Sequence, residues 1–418
     1  MQPMYRRHML CCTLALGAGL FTAQIRPADA LTLANGLRNP CLGRLPNELA
    51  QHELVLAAFE DIDAAQLWDM HVHLIGTGDS GSGCFVNPRL YSFWHPIEVL
   101  RRKVILNAAC VPPQSTSVDE AYVARLHLLA QGFPVGAKWM LFAFAHAHGD
   151  DGTPRADIST FHVPNAYAAA VAQRHPERFA WVASVHPYAE GALAQLQQAR
   201  RDGALALKWL PSAMNIDLRD ARCRPLYDWL AATGMPLIVH CGEEMAVRGA
   251  AMDDYGNPLL ARIPLALGVR VVIAHCASLG RAIDLDAHSQ PSVAAFDLFA
   301  RLMKEQLSQS RPMLWGDISA LFQANRRPRI WRSVLQRQDW HGRLLHGSDY
   351  PLPGVLPLFD LGALVDAQLL AELAVAPLQA IRRHNPLLFD FVLKRSLTLG
   401  PNRLAADIFH TRAFFEMA

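Results

Sequence analysis

The stretch Asp69-Met70-His71-Val72-His73 sets two imidazoles one residue apart at the end of the short apolar run Ala64-Ala65-Gln66-Leu67-Trp68. Side chains alternate faces along a strand, so His71 and His73 point the same way there and are able to share one metal ion. A single histidine on an apolar run is most often a satisfied core residue. A pair at strand spacing needs partners elsewhere in the chain before it means chemistry. The loop from Gly76 to Gly83 that follows is too rich in glycine for helix or strand and reads as a tightly turning segment. It lacks the Gly-Lys-Ser/Thr that would suggest a phosphate cradle.

Partners recur at the ends of later apolar runs. Ala137 to Ala145 closes on His146 and His148, Phe179 to Val185 on His186, and Ala204 to Leu210 carries Lys208. Met235 to Val239 precedes His240, Val269 to Ala274 precedes His275, and Arg343 to Leu345 leads into His346-Gly347-Ser348-Asp349. With the run before His71 and another from Pro312 to Ile318, this gives eight strand candidates. Helical pieces such as Ala121 to Gln131, Asn165 to His175, Glu190 to Asp202 and Ser292 to Ser308 separate most of them. Uninterrupted apolar runs such as Pro236-Leu237-Ile238-Val239 and Val271-Val272-Ile273-Ala274 are what parallel strands buried on both faces require.

Eight alternating units predict an α/β fold of the (β/α)8 TIM barrel type. A doubly wound open sheet competes, but it gives no reason for polar residues at the C-terminal end of nearly every strand. A barrel brings those ends to one mouth, where such folds carry their sites. The converging set is His71, His73, His146, His186, Lys208, His240, His275 and Asp349. Imidazoles with a carboxylate suit a borderline divalent ion such as zinc without thiolates. Asp349, behind Leu344-Leu345, would be costly to bury alone, and a metal is its natural partner. His146 and His186 read equally well as ordinary rim residues. Glu243 and Glu244, and Asp317 with Ser319, are candidate substrate contacts by position alone.

The composition, 51% hydrophobic and 18% charged with a formal net charge of +2, is that of a globular protein with ample core material. No basic run with interleaved aromatics points to nucleic acid. Residues 1–30 differ from the rest: Arg6-Arg7 precedes an apolar stretch from Met9 to Phe21, and Ala28-Asp29-Ala30 follows as a small-residue cleavage pattern. This predicts a signal peptide and a periplasmic protein, and Arg6-Arg7-His8-Met9-Leu10 loosely resembles a twin-arginine signal. An N-terminal membrane anchor is the alternative, but thirteen apolar residues fall short of the roughly 20 that a span needs. Residues 31–66 then form an N-terminal arm, with a helix expected from Asn47 to Asp63, and 67–418 the catalytic barrel. Six cysteines lie beyond the signal: Cys41, Cys84, Cys110, Cys223, Cys241 and Cys276. Their spacing resembles no zinc knuckle or redox motif and assigns no disulfide.

Four segments taken together carry a resemblance: Asp69-Met70-His71-Val72-His73, Leu237-Ile238-Val239-His240-Cys241-Gly242, Val272-Ile273-Ala274-His275-Cys276 and Leu345-His346-Gly347-Ser348-Asp349-Tyr350-Pro351. In this order they resemble the amidohydrolase superfamily, specifically its amidohydrolase-related branch of metal-dependent hydrolases. The resemblance implies that His71, His73 and His240 bind a metal, and that Asp349 is both ligand and general base. It implies that His275 orients or polarises the attacking water or the substrate carbonyl. Some members place a carboxylated lysine bridging two metals near the position of Lys208; otherwise Lys208 binds a substrate carboxylate or pairs with an acid. One divalent ion, zinc by preference, is therefore expected, and two if Lys208 bridges. The expected reaction is hydrolysis of an amide, ester or lactone in a small molecule by metal-activated water. Non-oxidative decarboxylation of a small aromatic acid is the alternative, for which Lys208 and Arg248 are the nearby cations in sequence.

Overall fold

The eight apolar runs form eight parallel strands: β1 (Trp68–His73), β2 (Lys138–Phe142), β3 (Phe179–Val182), β4 (Leu207–Trp209), β5 (Leu237–His240), β6 (Val271–Ala274), β7 (Leu314–Asp317) and β8 (Leu344–Leu345). The computed structural model describes residues 38–416, so the predicted signal peptide lies outside the described residues. Parallel pairing runs β1-β2-β3 and β4-β5-β6-β7-β8. A parallel bridge between Ala183 and Leu207, with Lys208 N donating to Ala183 O at 2.8 Å, joins β3 to β4. The ring closes where Met70 N donates to His346 O at 3.0 Å and Asp349 N donates to His71 O at 2.8 Å. The sheet is a closed (β/α)8 barrel, as eight alternating units predict.

Period-two alternation sorts the side chains. Met70, Met140, Phe142, Val182, Ala206, Ile238, Val272, Trp315 and Leu345 fill the barrel interior, whereas Val72, Leu141, Leu207, Val239 and Ile273 pack outward beneath the helices. Phe414 and Phe415, near the C-terminus, belong to the interior cluster and close the end opposite the strand C-termini. Lys208, His240 and Asp317 follow an interior residue by two and so also face inward. In β1 the rule is broken once. The register against β2 shifts between Asp69 and Val72, which inserts one residue. That bulge lets Met70 fill the interior while His71, its direct neighbour, also faces inward beside His73.

In the N-terminal arm, the single helix expected from Asn47 to Asp63 is two short ones, Asn47–Ala50 and Glu53–Ala58. They separate at His52, whose ring caps the second by accepting from Leu54 N at 3.3 Å. Phe59 then packs on Phe391 with ring centroids 4.8 Å apart. A disulfide between Cys41 and Cys110, which spacing alone did not reveal, ties the arm to the end of the helix Pro96–Ala108. The glycine-rich loop wraps a carboxylate of this same chain. Asp119, fully buried, accepts from Thr77 N at 2.6 Å, Ser80 Oγ at 2.8 Å and Ser82 Oγ at 2.6 Å. The loop's amides and hydroxyls are thus spent on an internal anion.

Beneath the β8 loop, Lys394 is buried and donates to Gly347 O at 2.7 Å and to Asp390 Oδ2 at 2.6 Å. Burial pushes the Asp390 carboxyl up to about 6 against the pull of Lys394. Removing one partner strands the other, so Lys394→Ala is expected to destabilise the fold by about 3–5 kcal/mol. Chemical denaturation measures this; a loss below about 1 kcal/mol, the level of an exposed pair, would refute it.

Candidate metal centre

The β1 and β8 ends meet across the barrel seam. Asp349 Oδ1 lies 3.1 Å from His73 Nε2 and 3.5 Å from His71 Nε2, and Asp349 Oδ2 lies 3.9 Å from His275 Nε2. His71, His275 and Asp349 are buried, while His73 keeps a fifth of its side chain open towards the mouth. The backbone is strained where these side chains are delivered: His275, Cys276, Ala277 and Asp349 all have positive φ, at 54°, 50°, 48° and 60°. Gly347 is required for another reason, since a Cβ there would come within 2.6 Å of His71 Cβ. Only glycine lets the β8 loop lie this close to β1.

Asp317, at the end of β7, is fully buried and organises two of the rings. Its Oδ2 accepts from His71 Nδ1 at 2.9 Å, and its Oδ1 accepts from His275 N at 3.2 Å, Ser319 N at 2.8 Å and the Ser319 hydroxyl. A carboxylate only accepts, so the hydrogen of His71 sits on Nδ1 and the Nε2 lone pair faces Asp349. His275 Nδ1 lies 3.1 Å from Ser319 O, also a pure acceptor, so it too carries the hydrogen there. Burial holds both imidazoles well below their ordinary pKa, hence neutral. His275 Nε2 therefore offers a lone pair rather than a hydrogen. Asp317 and Ser319, read from sequence as substrate contacts, are buried supports for His71 and His275.

His240 ends β5 with Nε2 buried and lacking a hydrogen-bond partner among the described residues; Glu244 Oε2 lies 3.4 Å away without hydrogen-bonding geometry. Lys208 is 1% exposed, over the Phe142 ring at 5.3 Å, and its Nζ likewise has no partner among the described residues. Burial draws its pKa down to about 8 against the fields of Asp317, Asp349 and Glu244. One further cation escaped the sequence reading. Arg326, in the loop after β7, is buried and donates only to neutral groups: Ser278 Oγ at 3.1 Å, Gln323 Oε1 at 3.1 Å and Asn325 Oδ1 at 2.7 Å. Burial lowers its pKa to about 10, and the charges that oppose this are Asp349, Glu244 and Glu243. No motif or strand end marks it; only loop packing brings it here.

The other sequence candidates lie elsewhere or are already engaged. His186 is buried with both nitrogens used: Nδ1 accepts from Tyr188 N at 3.1 Å and Nε2 donates to Met214 O at 2.8 Å. That leaves it no free nitrogen for a metal bridge or a substrate. His146 stacks on His162 with centroids 4.2 Å apart, and burial lowers its pKa to about 4. Neither belongs to the donor groups formed around Asp349 and Asp317, which are His71-His73-Asp349 and His71-His275-Asp317. Glu243 is exposed, and its neighbour Glu244 is the one turned towards His240.

The model of the amidohydrolase family matches residues 68–389, which contain every side chain of the centre. No curated protein matches the sequence. Among solved structures, an uncharacterised TIM-barrel protein from Bordetella bronchiseptica is 19% identical, with a TM-score of 0.45 over 72% of this chain and 93% of that one. A probable 2-pyrone-4,6-dicarboxylic acid hydrolase from Acinetobacter baumannii is 14% identical, with a TM-score of 0.40 over 77% and 96%. A 5-carboxyvanillate decarboxylase from Novosphingobium aromaticivorans, solved with manganese, is 11% identical, with a TM-score of 0.41 over 85% and 98%. Likenesses this distant say nothing about the reaction. Among the described residues no helix is long and apolar enough to cross a membrane. With the family model spanning the barrel and its imidazole-carboxylate centre, the chain belongs to the amidohydrolase family and is a metal-dependent enzyme.

Proposed function

We propose that this enzyme hydrolyses an amide, ester or lactone bond of a small molecule, using a divalent ion held by His71, His73, His240 and Asp349. The observation that carries this reading is the buried carboxylate of Asp349, within 3.1 to 3.9 Å of three imidazole Nε2 atoms. The residues fit such an ion: His71 has its lone pair turned inward by Asp317, and His240 Nε2 is buried without a partner among the described residues. Imidazole nitrogens with a carboxylate oxygen suit a borderline divalent ion such as zinc, with no thiolate required. When bound, the ion supplies a water whose pKa falls towards ~7 and an electrophile for the carbonyl oxygen.

The chain's own groups do the rest. Asp349 takes the proton of the attacking water as its oxygen bonds to the carbonyl carbon, then returns that proton to the leaving group. His275, neutral with its lone pair on Nε2, orients the water by accepting a hydrogen bond. Lys208, an ammonium without a hydrogen-bond partner among the described residues and in the field of Asp317, Asp349 and Glu244, balances their charge or binds an acidic substrate group.

One observation favours decarboxylation as a second reading. That reaction needs a cation for the substrate carboxylate, and Arg326 is a buried guanidinium in the field of Asp349, Glu244 and Glu243 with only neutral hydrogen-bond partners among the described residues.

The deciding experiment is a screen of lactones, esters, amides and aromatic carboxylates on purified protein, following acid release and carbon dioxide together. Hydrolysis at neutral pH liberates acid from an ester or lactone, or an amine from an amide, without carbon dioxide; decarboxylation liberates carbon dioxide and takes up a proton. Dialysis against a chelator is expected to abolish turnover, and added zinc to restore it. Full activity in protein stripped of metal would end both readings.

Export is part of the proposal. It rests on Arg6-Arg7 and the apolar stretch behind them, and the Cys41–Cys110 disulfide supports it, because disulfides persist in oxidising compartments.

A further inference from the structure

We propose that His127, His175 and Glu177 form a second divalent-cation site, at the end of the barrel opposite the candidate metal centre. His127 lies in the last turn of the helix Val118–Ala130, which precedes β2; His175 caps the C-terminal end of the helix Asn165–Arg174, and Glu177 lies just before β3. All three therefore belong to the face from which the strands start, whereas Asp349 and its histidines lie where the strands end.

Three features point to a cation. One donor atom from each residue falls within 4.8 Å of the other two, and His127 Nε2 is 3.6 Å from Glu177 Oε1. Two donors each about 2.1 Å from a tetrahedral zinc ion sit about 3.4 Å apart, so His127 and Glu177 are nearly in place and the pairs involving His175 close from at most 4.8 Å. The imidazoles are stacked, centroids 4.4 Å apart and planes 26° from parallel, with the edge of Phe179 against both. This holds the two rings next to each other; an ion lies in the plane of each ring it binds, so the rings tilt away from parallel as it enters. The third feature is electrostatic: two helix C-termini meet here, and the negative ends of both dipoles favour positive charge.

The neighbouring cations are committed elsewhere and do not take that place. Arg174 pairs with Glu120 at 3.3 Å, and Arg178 donates to Pro134 O at 2.8 Å. Glu177 is largely exposed, so water completes the coordination shell and the ion exchanges with solvent.

The test is calorimetric titration of metal-stripped full-length protein with zinc chloride. Wild type is expected to bind one equivalent more than His127→Ala/His175→Ala, and His71→Ala/His73→Ala is expected to keep that equivalent. Glu177→Gln, at an exposed position, keeps the fold if the double variant does not. It is expected to weaken the site by at least about tenfold, since even outer-shell partners of metal ligands are worth about 10–100-fold. Turnover with the Asp349 centre loaded is expected to be unchanged in Glu177→Gln. Equal zinc stoichiometry and affinity in wild type and Glu177→Gln would overturn the proposal.

Discussion

Replacing Asp349 by asparagine is expected to lower turnover by about 10²–10⁴-fold, the usual worth of a positioned general base, while leaving the fold intact. The structure makes this a clean substitution. Asparagine is isosteric, and it is among the few residues that accept the positive φ of 60° found here. The backbone bond from residue 349 N to His71 O, 2.8 Å long, is untouched. What disappears is the negative charge between His71, His73 and His275 and the oxygen that accepts a proton. Steady-state kinetics beside thermal melts separate the two effects. Turnover within tenfold of wild type would remove Asp349 from its role as base.

The second large effect is expected from a residue that touches no substrate. In Asp317→Asn one carboxylate oxygen becomes an amide NH2. Oδ1 serves His275 N, Ser319 N and the Ser319 hydroxyl, so the oxygen is retained on that side and the NH2 faces His71 Nδ1. Two donors then oppose each other, and His71 shifts to the tautomer with its hydrogen on Nε2. The lone pair that faced Asp349 is lost. Metal affinity is expected to fall by about 10–100-fold, the usual cost of losing a carboxylate that orients a ligating histidine. Activity at limiting metal falls with it, excess metal restores part of it, and KM moves little. A chelator competition assay measures the affinity. Unchanged affinity, or a change confined to KM, would instead support the substrate-contact role read from sequence.

These two residues also show how far the sequence reading reached. Asp349 was legible because a carboxylate behind an apolar strand is costly to bury without a partner, and because motifs at three other strand ends supplied that partner. Asp317 also closes a strand, but one-dimensional spacing does not distinguish a carboxylate facing substrate from one holding two imidazoles. Lys208 was visible in the same way, as a charge inside an apolar run. His186 satisfied the strand-end criterion as well as His240 does, and its difference lies in two backbone groups, Tyr188 N and Met214 O, that come from loops. Arg326 belongs to no strand end at all. It reaches the centre only because the loop after β7 folds over Ser278.

By itself the sequence determined the eightfold alternation of apolar strands and helices, the barrel it closes into, and the strand ends that bear imidazoles and a carboxylate. Those features are periodic and local, and burial of apolar faces leaves a barrel as the arrangement that satisfies them all. Tertiary structure decided the rest. The bulge in β1 sets which face His71 occupies, because one added residue inverts the alternation. Asp317 sets the tautomers of His71 and His275, because a pure acceptor dictates where a neighbouring hydrogen sits. The disulfide and the pairing of His127 with His175 depend on contacts between segments distant along the chain, which spacing alone does not encode.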